Sequence, residues 1–204
     1  MMKTTILIIF LSLQSVLVRA QVAQSFRRPM FELGTGIQIS SFSGSVFVPS
    51  LGFKVPVNEL APVYTLMGSL NFPLKKLKEE LYFGINPNLG LGYSYGNFQT
   101  TAPVFVTLKY GATASRESQT RCGFGLGVGG YFSAFYTLLT SDYGDVLNYS
   151  SAYVAPSVMA EFSINTRRRG IFQIRTDFTP VTIQKSDKFT GNIGQYNLRL
   201  MRTF

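Results

Sequence analysis

Bulky apolar and small side chains alternate, residue by residue, through most of this chain of 204 residues. In residues 122–136 the bulky residues occupy one parity and the glycines occupy the other: Phe124, Leu126 and Val128 against Gly123, Gly125 and Gly127. A period of two residues places successive side chains on opposite faces of a strand. The pattern therefore predicts a β-strand with one bulky face and one nearly bare face.

The same stretch contains a spacing that is found in nucleotide-binding loops. Gly125, Gly127 and Gly130 read G-x-G-x-x-G. That spacing holds a phosphate where it follows a strand and opens a helix. The residues that come next are aromatic and favour strands, with neither a helix cap nor a helical period. We therefore predict a continuous strand here and no phosphate site.

Eight segments share the alternation, and together they predict the fold. They are residues 31–41, 62–74, 81–96, 102–112, 122–136, 152–164, 172–182 and 196–204. Pro87 and Pro156 fall inside two of them, and we expect a local bulge at each. Short charged connections alternate with longer ones at 43–60, 97–101, 137–150 and 184–194. This arrangement is typical of an all-β fold, an eight-stranded antiparallel transmembrane β-barrel with an up-and-down meander.

A soluble barrel of the lipocalin kind is the rival fold, and the two differ in which face points outward. A face in water should carry many charged residues, but the non-apolar face here is mostly Gly, Ser, Thr and Asn. The aromatic residues also fall into two bands, as they do at membrane interfaces. The outer band is Tyr64, Tyr93, Tyr95, Phe132, Tyr136 and Tyr153, and the inner band is Phe72, Phe83, Tyr110, Phe124, Phe162, Phe172 and Phe204. We therefore predict that the bulky face contacts lipid.

The first twenty residues have the composition of a secretion signal. A basic start at Lys3 precedes an apolar run, and Ala20 ends a small-residue cleavage site. We predict a signal peptide at 1–20 and one barrel domain at 21–204. Cys122 is the only cysteine, so no disulfide forms within the chain.

Six charged residues have the parity of the lumen face. They are three acids and three bases: Glu32, Lys109, Glu161, Arg175, Asp177 and Arg199. Buried charges are tolerated when they are paired and hydrogen-bonded, so the balanced set predicts a network that plugs the barrel. Strand order places Lys109 farther round the wall than the other five. The alternative is six unrelated polar residues solvated by water in the lumen.

The remaining charges and the absence of histidine limit the functional classes. The formal net charge is +9, and most of the basic excess falls at the short-turn end, where it suits anionic lipid headgroups or a periplasmic partner. Nucleic acid is not needed to explain it. The chain has no histidine, the usual base of hydrolases and a common zinc ligand. We predict no enzymatic activity, no metal site and no cofactor.

The first long connection keeps a two-residue period beyond the predicted membrane segment. Val46 and Val48 lead into it, and Phe53, Val55 and Val57 lead out. The period is consistent with a projecting β-hairpin that pairs with a strand of a partner. Ordinary loop packing is the alternative and is slightly favoured.

At the level of the whole chain, the sequence resembles a family. The signal that ends at Ala20, the eight segments, the stretch APVFVTLKYG and the terminal phenylalanine resemble small outer-membrane barrels of the Bacteroidetes type and, more distantly, OmpA/OmpX-type barrels. The resemblance implies an outer-membrane location with both termini in the periplasm. It also implies an insertion signal for the barrel-assembly machinery: Tyr196, Leu198, Leu200 and Phe204. Arg202 stands where this signal usually has an apolar residue.

The resemblance does not select one function, because the fold alone does not decide it. PorT-like members resemble parts of a secretion machine. An eight-stranded barrel has room inside only for side chains. We therefore predict a plugged barrel with a structural or interaction role, whose partner contacts either the outer loops or the basic periplasmic turns. Transport of small solutes is the alternative, and a soluble lipocalin-like binding barrel is less favoured.

Overall fold

The computed structural model describes residues 29–48, 51–115, 118–140, 146–166, 170–185 and 189–204. Eight antiparallel strands close into one barrel in chain order, with β1 paired to β8. The strands are β1 Met30–Val48, β2 Phe53–Lys78, β3 Leu81–Ser94, β4 Asn97–Gly111, β5 Cys122–Thr140, β6 Val146–Asn165, β7 Ile171–Lys185 and β8 Phe189–Thr203. The predicted all-β meander is confirmed, whereas the predicted signal peptide lies outside the described residues.

The two faces of the wall have the predicted orientation. Gly123, Gly125 and Gly127 face the lumen and are buried. Every strand exposes large apolar side chains on the outer face, for example Ile37, Leu66, Leu91, Val106, Leu126, Val158, Ile174 and Leu198. No described helix is long and apolar enough to span a membrane.

The predicted bulges lie elsewhere. The β3–β4 register is the same at Pro87↔Val104 and at Gly90↔Thr101, and Pro156 pairs with Gly130 without a shift. Register shifts occur instead near the inner end of β2, between residues 73 and 78, and on β7, between Thr179 and Thr182. Proline is tolerated at these two sites without a bulge because pairing is already incomplete beside it. Two β3–β4 residue pairs are missing next to Pro87. The β6–β7 pairing, followed from Asn165 at the inner end of β6, stops at Val158 and does not reach Pro156.

All four segments that were predicted as outer loops are largely strand, and the predicted loop at 97–101 lies wholly within β4. β1 and β2 continue in register to Val48↔Phe53, so the projecting hairpin is present and ordinary loop packing, the slightly favoured interpretation, was wrong. β5 and β6 pair up to Thr140↔Val146, and β7 and β8 up to Lys185↔Thr190. The fourth connection is a tight turn at Tyr95 and Gly96, where Gly96 has a φ of 76°. The alternation of side chains within the segments predicted as outer loops therefore indicated strands.

The outer half of the wall is divided into two sheets. β6 and β7 pair only from Asn165↔Ile171 to Val158↔Phe178. Continued by two rows, this register would place Pro156 opposite Pro180, and neither residue has an N–H to donate. On the other side of the barrel, the short β3–β4 hairpin stops below the ends of β2 and β5. The strands β7, β8, β1 and β2 thus form one outer sheet, and β5 and β6 form the other.

An apolar core fills the space between these two sheets. Its buried members are Phe42, Val46, Val57, Ala61, Phe189 and Ile193 from the first sheet, and Phe135, Leu139, Tyr149, Tyr153 and Ala155 from the second. Ring centroids lie 5.5 Å apart for Phe42 and Phe135 and 5.1 Å apart for Tyr149 and Phe189. Tyr153 belongs to this core, so its assignment to the outer lipid-facing band was wrong. Near the outer end of the barrel, the lumen face is therefore bulky and apolar.

Residues 112–115, at the start of the connection between β4 and β5, lie in the inner mouth of the barrel. Ala112, Thr113, Ala114 and Ser115 are buried in succession. The side chain of Asn71, which faces the lumen from β2, donates a hydrogen bond to the carbonyl of Thr113 at 2.9 Å. The charged stretch SRESQ, residues 115–119, was expected to form a short turn here, but β4 ends at Gly111, where φ is 70°, and residues 112–115 enter the mouth.

Candidate functional site in the lumen

The structure places all six charged residues of the lumen prediction in the interior. Each is at most 5% exposed: Glu32, Lys109, Glu161, Arg175, Asp177 and Arg199. They come from β1, β4, β6, β7 and β8, and every one has the parity that faces inward. The two-residue period of a strand therefore carries these charges into a space that is only as wide as their side chains.

Arg175 joins two carboxylates at the centre of this cluster. Its Nη2 lies 2.5 Å from Glu32 Oε2 and 2.8 Å from Glu161 Oε2. Its Nε donates to the same Glu161 oxygen at 3.1 Å, and its Nη1 donates to Asn88 Oδ1 at 2.9 Å. The guanidinium thus uses its whole fork, the geometry in which an arginine holds carboxylates most firmly.

Lys109 belongs to the same cluster, so its predicted separation was wrong. Its Nζ lies 2.8 Å from Glu161 Oε1 and 3.6 Å from Glu32 Oε1. The prediction measured distance along the wall, whereas a lysine side chain reaches across a narrow lumen. Two acids and two bases therefore neutralise one another in one cluster, formed by Glu32, Lys109, Glu161 and Arg175 and called here the charged quartet.

Asp177 and Arg199 form a second ion pair beside the quartet. Arg199 Nη1 bonds Asp177 Oδ1, and the amide of Asn197 donates to Asp177 Oδ2 at 2.8 Å. Both carboxylate oxygens of Asp177 are thus engaged. Like the quartet, this pair has no net charge, so all six charges are balanced within the lumen.

Neutral side chains that the sequence analysis did not single out complete the network. Ser69 donates to Glu32 Oε2 at 2.7 Å, and Gln173 donates to Glu32 Oε1 at 3.1 Å. Asn86 donates to the hydroxyl of Ser69 at 2.8 Å. Each has lumen parity on its strand, so selecting every polar residue of that parity, and not only the charged ones, would have found them.

A second polar layer lies between the charged residues and the outer apolar core. Gln38 bonds Gln99, which donates to Ser133 at 2.6 Å. The hydroxyl of Tyr131 donates to Gln38 Oε1 at 3.0 Å. Tyr131 is completely buried and bulky, which shows that the lumen face of β5 is not uniformly small. These side chains connect β1, β4 and β5 across the lumen.

The glycines of β5 make room for the quartet. A Cβ placed on Gly125 would lie 2.6 Å from Cγ and 2.7 Å from Oε1 of Glu161. The spacing that resembled a phosphate loop therefore has a different physical cause: Glu161 crosses the lumen over a residue that has no side chain. Gly130, three residues after the last buried glycine and on the outer face, has nothing within 4 Å of the same position.

We expect Gly125→Ala to destabilise the barrel much more than Gly130→Ala. The new methyl group must displace Glu161, and with it the contacts to Arg175 and Lys109, whereas a methyl group at position 130 enters open space. Overpacking of this kind typically costs about 1–3 kcal/mol. Urea unfolding of both variants in lipid vesicles measures the difference. Equal stability of the two variants would show that Glu161 is not held in this position.

The four residues of the proposed insertion signal lie on the outer face. Tyr196, Leu198, Leu200 and Phe204 are between 45% and 58% exposed. Arg202 shares this face, and its guanidinium carbon lies 5.8 Å from the ring centroid of Phe172 and 5.0 Å from that of Phe204. Such contacts allow a cation to remain at the edge of an apolar band.

Comparisons with known proteins identify no family for this chain. No family model matches the sequence, and no curated protein matches it. Among solved structures, the chain is similar to Neisserial surface protein A, with 11% identity, coverage of 85% of this chain and 97% of that chain, and a TM-score of 0.43.

Two further solved structures show comparable similarity. For Ail, the attachment invasion locus protein of Yersinia pestis, identity is 9%, coverage is 87% and 99%, and the TM-score is 0.45. For the N-terminal β-barrel domain of Pseudomonas aeruginosa OprF, identity is 8%, coverage is 88% and 100%, and the TM-score is 0.46. Similarity at this level carries no inference about what this chain binds or does.

Proposed function

We propose that this chain is an integral outer-membrane β-barrel whose lumen is plugged and whose role is structural or interactive. The outer face supports insertion into a membrane, because its exposed side chains are apolar on all eight strands. A closed barrel also leaves no unpaired edge in the hydrocarbon, where each free backbone group costs several kcal/mol. Exposed tyrosines, including Tyr64, Tyr93 and Tyr95, lie near the outer ends of β2 and β3, as at a membrane interface.

Buried side chains at three levels of the lumen are the observation that supports the proposed role. Thr113 is buried at the inner mouth, the charged residues and the glutamine layer lie in the middle, and the apolar core lies at the outer end. Solute transport would require all three levels to open. The barrel therefore suits a protein that acts through its surfaces. Our proposal includes a role as a part of a secretion or envelope machine.

Surfaces at both ends are available for such contacts. At the inner end, Lys75, Lys76, Lys78 and Arg121 are exposed and suit anionic lipid headgroups or an acidic periplasmic partner. At the outer end, the β1–β2 hairpin projects beyond the tight turn at Tyr95 and Gly96. The barrel-assembly machinery is the proposed partner during insertion, through Tyr196, Leu198, Leu200 and Phe204.

Purified monomer reconstituted in a planar bilayer should show no steady conductance. The physical reason is that the six lumen charges balance one another and their side chains fill the middle of the barrel. The same preparation should come from the outer-membrane fraction and should change its gel mobility on heating. Recovery in the soluble fraction would contradict the membrane assignment, and a steady ion-selective current would favour transport.

A further inference from the structure

The outer part of β2 has a strand neighbour on one side only. From Phe53 to Val63 it pairs with β1, and its pairing with β3 begins at Tyr64↔Tyr93. Within the described chain, no strand pairs with the other side of β2 above that row, because β3 ends at Ser94. The opposite strand end, on β5, is different: Asn97 Oδ1 accepts from the amide of Leu138 at 3.3 Å.

The direction of the free backbone groups follows from the contacts of β2 farther down. Leu70 O accepts a hydrogen bond from the side chain of Asn86 on β3 at 3.1 Å. The carbonyl oxygens of Leu66 and Tyr64 each lie 3.6 Å from the Cβ position of a β3 glycine. In an antiparallel strand, the N–H and C=O of one residue point to the same side, and this side alternates along the chain. Even-numbered residues of β2 therefore face β3.

The same alternation extends to the outer end of β2, because the β1–β2 register has no shift from Met30↔Asn71 to Val48↔Phe53. Above Tyr64, the open side is thus faced by Lys54, Pro56, Asn58, Leu60 and Pro62. Proline has no N–H, so Pro56 and Pro62 offer only carbonyls. Between them, Asn58 and Leu60 each offer both a donor and an acceptor.

The two prolines define a window about 20 Å long, at ~3.3 Å per residue. Prolines at an exposed edge normally prevent uncontrolled pairing with other strands. Here they flank a short stretch whose backbone can still pair with another strand, and within it the side chain of Leu60 is 67% exposed. A strand that paired with this stretch would have one register, since its hydrogen bonds must centre on Asn58 and Leu60.

We propose that the β2 edge between Pro56 and Pro62 binds an extended segment of a partner protein as an added antiparallel strand. This inference rests on the proposed function, which it deepens by naming the kind of partner. The segment would lie above the β3–β4 turn. It would form two hydrogen-bonded residue pairs, one with Asn58 and one with Leu60. Main-chain hydrogen bonds supply affinity in this mode, and alternate side chains supply specificity.

A second copy of the chain does not suit this edge. Two barrels in one membrane are related by an axis along the membrane normal, so their β2 strands would run in the same direction. Parallel pairing is less stable per residue than antiparallel pairing. A segment of another protein has no such constraint and can run antiparallel. Its inward side chains would lie near Ala61, Val63 and Phe135, which line a small cavity together with the first residues of β4.

Amide hydrogen exchange at single-residue resolution tests the proposal, on the natural outer membrane and on the purified monomer. We expect the Asn58 and Leu60 amides to be protected in the membrane and to exchange at least ten times faster after purification. The amides of Val57 and Glu59 face β1 and should be protected in both preparations, which makes them an internal control. Equal exchange of Asn58 and Leu60 in the two preparations would contradict the proposal.

Variants at the edge identify the partner as a strand. A photo-crosslinker at position 58 should join this chain to an extended segment of another protein. Leu60→Pro removes an N–H that points away from β1 and should abolish that product. Leu60→Ala also removes the leucine side chain but keeps the N–H, and it should retain the product. Pro56→Ala adds a donor and should increase it. A product that survives Leu60→Pro, or that joins two copies of this chain, would overturn the proposal.

Failure of the proposed function gives a different result. In that case, the chain would be absent from the outer-membrane fraction, or the purified monomer would conduct ions. Neither outcome depends on residues 56–62. A barrel recovered from the outer membrane with Asn58 and Leu60 unprotected would leave the proposed function in place and remove only the strand-addition site.

Discussion

Arg175→Ala should be among the most destabilising single substitutions in the barrel. The guanidinium contacts both Glu32 and Glu161, and its removal leaves two buried carboxylates that, among the described residues, have Lys109 as their one remaining ion-pair partner. Breaking a buried ion pair in this way typically costs ~3–5 kcal/mol. Urea unfolding in lipid vesicles, followed by gel mobility without heating, measures the loss. Lys75→Ala is the matched control, because Lys75 is exposed at the inner end of β2.

A second substitution separates charge imbalance from the loss of packing. In Arg175→Ala with Glu161→Gln, the remaining charges of the quartet are one acid and one base, so part of the stability should return. A double-mutant cycle isolates that coupling. If Arg175→Ala costs no more than Lys75→Ala, then the lumen charges are solvated individually, as in the alternative interpretation of the sequence.

The sequence predicts the wall of the barrel better than its interior. Parity alone assigned Glu161 and Arg175 to the lumen, because a strand alternates its side chains whatever surrounds it. Parity carries no information on distance across the lumen, and Lys109 was therefore placed apart from the acids that it contacts. The position of Glu161 over Gly125 is likewise a relation between two strands, which no local pattern records.

The outer half was misread for a related reason. Bulky apolar side chains were taken to mark the lipid face, but the lumen face also carries them, as Tyr131 shows. Near the outer end the lumen face is bulky and apolar, as Phe135 and Tyr153 show. The alternation of inward and outward side chains therefore continues there, but side-chain size no longer distinguishes the two faces. The hairpin formed by β1 and β2 was indicated by valines that keep the period of two on both arms, but ordinary loop packing was slightly favoured over it.

The prolines had a clearer meaning once strand pairing was known. Pro156 and Pro180 lie in different predicted strands, and only the β6–β7 register shows that they would stand opposite each other. Pro56 and Pro62 have the same parity, which the sequence displays, but their role depends on which side of β2 faces β3. In both cases, the sequence shows that proline lacks an N–H. Which neighbouring strand is thereby prevented from pairing depends on the strand order and register of the barrel.

Phe42→Ala should destabilise the outer half of the barrel specifically. Phe42 is 1% exposed, and its ring lies 5.5 Å from that of Phe135 and 6.4 Å from that of Phe189, so it joins the two outer sheets. Truncation of a buried phenylalanine typically costs ~3–5 kcal/mol. Phe47→Ala is the matched control on the same strand, since Phe47 faces outward and is 38% exposed.

The location of the loss distinguishes a separate outer core from a single cooperative barrel. Proteins open in cooperative units, and the amides of a weakened unit exchange faster while those of the remainder do not. In Phe42→Ala, we expect faster exchange at β1-facing amides such as Val57 and little change at amides of β7 near Arg175. Uniform acceleration along all strands would contradict two units. A loss confined to the outer half would show that the packing between the sheets, and not the membrane-spanning wall, holds the β2 edge in place.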